Sequence, residues 1–221
     1  MREHIAKKNA DDRCHNVPNG LAPHFTVTIF QRFQPLALFF LFLDHAFHTQ
    51  GKGLDLVKYI FDILMRDNVA FVLLGSGDAD YENFFNQMQS RYPGRVAVKI
   101  GFLPNLSKKI YAGADAFLMP SKSEPCGLAQ MVAARYGTLP IVRETGGLKD
   151  SIHDMGGDNG NGFTFKTYNA HDMLGAIQRA EGLYGNKPLW NQAMINAMNS
   201  DFSWNKSANE YVDMYKRIMK D

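Results

Sequence analysis

From Gly53 onward, apolar and polar positions fall into an alternating order of elements. Residues 53–67 set Leu54, Val57, Ile60, Phe61 and Leu64 on one side of a helix, the stripe of an element that lies on a core. Residues 69–74 (VAFVLL) form a continuous apolar run closed by Gly-Ser-Gly-Asp, which reads as a strand buried on both faces. A helix is predicted over 80–91, with Phe84, Phe85 and Met88 on one side, and an alternating strand over 95–100. The pattern continues with a helix over 105–112, a short strand over 116–119, a helix over 127–136 and a strand over 139–142. Residues 163–165 supply one more short strand. Strands that recur every 20 to 30 residues with helices between them are βαβ units; right-handed crossovers turn these into a doubly wound, Rossmann-like α/β fold with a parallel sheet. Past Asn169 the pattern is helical, over 170–184, 187–199 and 204–220, with Asn169 and Ser203 as side-chain caps of the first and last.

The first fifty residues differ. Residues 25–47 hold seven of the sixteen phenylalanines, and the run 36–43 (LALFFLFL) suits either a first buried strand or an aggregation-prone stretch. The chain therefore divides into an atypical segment, 1–50, and a domain, 51–221, with no internal repeat and no linker.

Composition narrows the classes of function. With 221 residues, 45% of them hydrophobic, the chain is long enough for a core of its own. A net charge of +2 offers no field for nucleic acid or anionic lipid. The longest apolar run, eight residues, falls well short of the roughly 20 a membrane helix needs. Two distant cysteines, Cys14 and Cys126, make neither a disulfide framework nor a zinc spacing. That usage and the polar start MREHIAKKNADDR predict a cytoplasmic protein without a signal peptide. His45 and His48 stand three apart, but no third ligand is implied, so no metal site is predicted.

Ligands of such sheets bind beyond the carboxyl ends of the strands. Four loops in that position carry suitable chemistry: Gly75-Ser76-Gly77-Asp78, Gly101-Phe102, Ser121 to Gly127 (SKSEPCG) and Arg143 to Gly147 (RETGG). The last two each open a helix, and helix N-termini that share a crevice hold anions, phosphate foremost. Taken singly, each has a plain structural reading: GSGD and TGG as turns, Glu124 as a solvated loop residue, and Cys126 as a small buried side chain. Trp204, Tyr211 and Tyr215 sit at the helical spacing of packing residues.

Residues 121–152 (SKSEPCGLAQMVAARYGTLPIVRETGGLKDSI) resemble the bacterial glycogen synthases and plant starch synthases. GKGLDLV (51–57), LLGSGD (73–78), YAGADAFLMPS (111–121), GNGFTF (160–165), YNAHDML (168–174) and DFSWNKSANEYVDMY (201–215) extend the likeness over residues 51–221. The resemblance implies one half of a glycosyltransferase B architecture, the carboxyl-terminal domain that holds the nucleotide sugar. It also implies glucose transfer from ADP-glucose to an α-1,4-glucan with retention of configuration, no tightly bound metal or other cofactor, and an acceptor domain missing from this chain. By the same likeness Glu124 contacts the donor glucose, and Cys126 and Gly127 lie beside the sugar. Thr145, Gly146 and Gly147 form the turn whose amides hold pyrophosphate. Lys52 neutralises phosphate, and Phe102 stacks on adenine where the family usually has tyrosine; Gly75, Ser76 and Gly77 complete the nucleotide-sugar set.

One departure bears on affinity. The family pattern before the lysine runs Arg-Leu-Thr, one further residue, then Gln-Lys-Gly. Here it reads His48-Thr49-Gln50-Gly51-Lys52-Gly53, without the arginine that contacts phosphate. Three functional readings stand at this point: a glucosyltransferase domain, incomplete as this fragment; a non-catalytic nucleotide or nucleotide-sugar-binding module; and a truncated product with no function of its own.

Overall fold

The computed structural model describes residues 38–47, 51–157 and 159–219. Six strands form one sheet: β1 (Leu38–Phe47), β2 (Val69–Gly77), β3 (Val96–Ile100), β4 (Ala116–Met119), β5 (Leu139–Arg143) and β6 (Phe163–Phe165). All pair in parallel, in the order β3-β2-β1-β4-β5-β6. This is the doubly wound order, and it reverses direction between β1 and β4. The described part of the apolar run 36–43, from Leu38 onward, lies in a central strand: Leu38 registers with Val69 and Phe40 with Ala116. Residues 36 and 37 of the run lie outside the described residues.

The helices are α1 (Leu54–Leu64), α2 (Ala79–Arg91), α3 (Pro104–Gly113), α4 (Ala129–Tyr136) and α5 (Gly146–Ser151), followed by α6 (Ala170–Tyr184), α7 (Lys187–Asn199) and α8 (Trp204–Ile218). Strand alternation divides the core between the two faces of the sheet. Val69, Phe71 and Leu73 of β2 pack with Leu118, Ile141, Phe61 of α1, Phe85 of α2 and Ile177 of α6. Ala70, Val72 and Leu74 face the other way, onto Phe117, Val142, Ile110 of α3, Ala133 of α4 and Leu148 of α5. Every residue from Val69 to Leu74 is buried, as its unbroken apolar run requires.

The element ends differ from the sequence-based bounds for local reasons. The helix expected over 127–136 starts at Ala129, because Gly127 has a φ of 70°, outside helical space. Arg95 belongs to the turn before β3, where its guanidinium bonds to the carbonyls of Met65, Asp67 and Val69. Asn169 caps α6 by accepting from the amides of His171 and Asp172, and Ser203 caps α8 by accepting from that of Lys206. No residue of α8 is buried. Among the described residues, no helix is long and apolar enough to cross a membrane.

Candidate functional site

The strand order reverses between β1 and β4, the place where such sheets bind ligands beyond the carboxyl ends of their strands, and the two segments that follow these strands are tied together. Lys122 donates its amide to the carbonyl of Gly51 at 2.7 Å. Gly53 has a φ of 77° and lies so close to Pro120 that a β-carbon would overlap the Pro120 carbonyl. Lys52 stands between these anchors, and its Nζ reaches Glu124 Oε2 at 2.8 Å. Glu124 also accepts from the buried Ser121 hydroxyl at 3.4 Å. The carboxylate is the inner member of the pair, with its side chain 13% exposed against 34% for the lysine.

The Gly-Gly turn closes on the same loop. Gly147 donates its amide to the carbonyls of Glu124 (3.2 Å) and Pro125 (3.1 Å), and Thr145 donates to Arg143 at 2.8 Å. Two of the three amides expected to cradle pyrophosphate are therefore engaged within the protein. That of Gly146, whose φ is 43°, has no backbone acceptor among the described residues. Cys126 is exposed rather than buried, and its carbonyl accepts from the Gln130 amide at 3.3 Å. Gln130, fully buried, also reaches the Gly127 carbonyl at 3.0 Å and Ser151 Oγ at 3.1 Å, which fixes the start of α4 against α5.

Gly75, Ser76 and Gly77 are the last residues of β2 rather than a loop beyond it: Gly75 pairs with Asp44 and Gly77 with Phe47. The Gly77 amide is taken by Glu82 Oε1 at 2.8 Å, and Gly101 donates to Gly75 at 2.8 Å. Phe102 follows the edge strand β3 and is 63% exposed. Three strand steps separate β3 from β4, a distance of about 14 Å at usual strand spacing. Lys52, Glu124 and the 145–147 turn form one cluster, and Phe102 stands apart on the same sheet edge.

Three residues without a role predicted from the sequence support the site: Arg143, Tyr168 and Asp55. Arg143 Nε donates to the Ser121 carbonyl at 2.8 Å and an Nη to that of Lys122, so the end of β5 clamps the loop that carries Glu124. The guanidinium carbon lies 5.8 Å from the centre of the Tyr168 ring, and the Lys122 ammonium lies 5.7 Å from it. The Tyr168 hydroxyl donates to Asp55 Oδ1 at 2.5 Å in the first turn of α1. Burial, then this hydrogen bond and the Asp55 charge, push the phenol's pKa far above its ordinary value. Arg143 opens the RETGG loop, and Asp55 and Tyr168 lie in the 51–57 and 168–174 motifs, but the contact between the last two spans 113 residues and no spacing announces it. Among the described residues, no group of three His, Cys, Asp or Glu side chains is placed to hold a metal ion.

Residues 32–188 match the sequence profile of the family described as glycosyl transferases group 1, and the chain belongs to that family. Over 174 residues it is 51% identical to a glycogen synthase of Bacillus cereus (strain B4264), a match that takes in 78% of this chain and 37% of the relative. A glycogen synthase of Anoxybacillus flavithermus is 52% identical over 173 residues, 77% of this chain and 36% of that protein. The catalytic domain of starch synthase IV from Arabidopsis thaliana, solved bound to ADP and acarbose, superposes with a TM-score of 0.78 at 29% identity. That superposition spans 98% of this chain and 44% of the plant one. The chain spans a little over a third of the length of the curated relatives it matches.

Proposed function

We propose that this chain is the nucleotide-sugar-binding part of a glucan synthase that moves glucose from ADP-glucose onto an α-1,4-glucan. The observation that carries the reading is the meeting of Lys52, Glu124 and the Thr145–Gly147 turn at the sheet's reversal point. In such a transfer a hydroxyl oxygen of the glucan bonds to glucose C1 as the bond from C1 to the phosphate oxygen breaks; ADP leaves with growing negative charge and takes up the hydroxyl proton. Lys52 and the Gly146 amide then stabilise that charge from fixed positions, while the Glu124 carboxylate accepts hydrogen bonds from glucose hydroxyls. Phe102, about 14 Å away along the strand ends, is within the span of an extended nucleotide and serves as the adenine platform. No resident metal is required in this scheme, because a lysine and backbone amides neutralise the diphosphate. Support comes from the glycogen synthases at 51 and 52% identity and from a structural neighbour solved with ADP.

The reading includes a partner, an acceptor domain that faces this site and brings the glucan, and a cytoplasmic setting where Cys126 stays reduced. The exposed side of α8 favours such a partner over a self-sufficient binding module. Saturation-transfer NMR on the 221-residue chain tests the donor. ADP-glucose should receive saturation at both its adenine and glucose protons and should be displaced by ADP. Failure of ADP-glucose to bind at millimolar concentration would sink the reading. Stronger binding of UDP-glucose would overturn the choice of base.

A further inference from the structure

The Lys52–Glu124 pair is a contact that a nucleotide sugar must break. We infer that Lys52 changes partner when the site fills: it neutralises Glu124 in the empty site and passes to the diphosphate on binding, so that carboxylate and phosphate compete for one ammonium. This rests on the reading of the site as a nucleotide-sugar site and adds an order of events to it.

The geometry supports the exchange in three ways. First, the backbone on either side of Lys52 is held, by Lys122 on the Gly51 carbonyl and by Gly53 against Pro120. The lysine side chain thus swings from a fixed base, and an ammonium with three rotatable donors can shift between acceptors, as a planar guanidinium fork cannot. Second, the lysine is the more exposed member of the pair and meets an incoming anion first, while the carboxylate lies behind it. Third, among the described residues Lys52 is the one cation bound to the Glu124 carboxylate. Arg143 is spent on backbone carbonyls, and Lys122 lies over Tyr168. When Lys52 leaves, Glu124 keeps the Ser121 hydroxyl and needs new donors; the hydroxyls of the donor glucose supply them. A nucleotide without a sugar takes Lys52 and leaves Glu124 short of partners; a nucleotide sugar satisfies both. The pair thereby favours the intact donor over the spent nucleotide.

Calorimetry on the 221-residue chain tests this with ADP, ADP-glucose and adenosine as ligands. Glu124→Gln should bind ADP more tightly, by about fivefold, the equivalent of about 1 kcal/mol for a part-exposed pair. The same variant should lose the preference for ADP-glucose over ADP and leave adenosine unaffected. In a Lys52→Met background the substitution at Glu124 should give no gain, since no ammonium is left to release. Glu124→Ala provides the same readout if the glutamine variant does not fold. ADP affinity unchanged or weakened in both Glu124 variants would overturn the exchange. So would an equal gain with and without Lys52, which would mark simple repulsion between carboxylate and phosphate. In either case the nucleotide-sugar reading would survive, provided the unaltered chain binds ADP. An unaltered chain that binds neither ADP nor ADP-glucose would bring down both.

Discussion

The Gly147 amide donates to the Glu124 carbonyl at 3.2 Å, and this joins the loop after β4 and the first turn of α5 into one backbone unit. The same approach leaves no room for a side chain at 147, where a β-carbon would overlap the carbonyl of Cys126. Backbone cannot move aside as the end of a flexible side chain can. Gly147→Ala should therefore destabilise the chain by about 1–3 kcal/mol, the usual range for overpacking, read as a lower urea midpoint at unchanged m-value. It should also displace Glu124 and abolish ADP binding. Gly175→Ala is the control: it lies within α6 with open space around it. Alanine there should be neutral or stabilising, by up to about 1 kcal/mol. Equal effects from the two substitutions would show that the close approach at 147 does not constrain the site.

The hydrogen bond from Tyr168 to Asp55 ties the segment before α6 to the first turn of α1, directly beyond Lys52. Tyr168→Phe keeps the ring under the Arg143 and Lys122 cations and removes only the hydroxyl. A loss of about 0.5–1.5 kcal/mol is expected in chemical denaturation, and more if the Asp55 carboxylate is left without a donor. Because the ring still supports Arg143, ADP affinity should fall by less than twofold. Arg143→Ala removes the clamp on Ser121 and Lys122 and should weaken ADP binding much more than Tyr168→Phe does. The reverse order would place the control of the loop at Tyr168.

Much of this fold can be read from local pattern. The run over residues 69–74, buried throughout, and the periodic apolar face of α1 depend on neighbours in sequence, so hydrophobic spacing reports them directly. The place of β1 at the centre of the sheet is a long-range fact: LALFFLFL is as apolar as an aggregating segment, and only its parallel partners β2 and β4 decide between the two readings. The site divides in the same way. Glu124 and the Gly-Gly turn are visible because each sits in a continuous motif at a strand end. The pairing of Lys52 with Glu124 spans 72 residues, and no spacing rule reaches that far. Gly-Ser-Gly-Asp carries turn chemistry and predicts a loop at Ser76, yet pairing with β1 extends β2 through Gly77. Tertiary hydrogen bonds there outweigh the local signal.

Glu181 on α6 has one carboxylate oxygen buried without a hydrogen-bond partner among the described residues. Burial, with the negative charge of Asp67 as a lesser cause, raises its pKa to about 7. The folded chain then keeps a proton on Glu181 between pH 4.5 and about 7, while the unfolded chain gives it up. The unfolded state binds fewer protons in that window, so Glu181 lowers stability as pH rises through it and adds no further loss above about 7. The side chain is only half buried, so solvent screening limits the loss to about 1 kcal/mol. Glu181→Gln should remove this contribution and flatten the stability profile between pH 5 and about 7. An unchanged slope in the variant would assign the pH dependence to other groups.

The last helix, α8, has no buried residue. Trp204, Ala208, Tyr211, Tyr215 and Ile218 recur at helical spacing, so α8 is amphipathic by sequence, yet Trp204 is 89% exposed and Tyr211 and Tyr215 about 60%. A helix of 15 residues without a packed face is marginal in water, and a stripe of large aromatic side chains is the kind of surface that a partner covers. The two tryptophans make this measurable, since Trp190 is buried and stacks near Phe163 while Trp204 is open. Iodide should quench two distinct populations of indole fluorescence in the isolated chain, one readily and one hardly at all. Trp204→Phe should remove the accessible population and leave the melting temperature unchanged. Amides of α8 should exchange with solvent far faster than those of α6, which packs on the sheet, and chymotrypsin should cut first after Trp204, Tyr211 or Tyr215. Addition of the acceptor domain proposed above, separately produced, should shift Trp204 emission to the blue and protect those sites. Two equally shielded tryptophans in the isolated chain would show that α8 already has its partner within these 221 residues, and the aromatic stripe would then lose its meaning as a docking face.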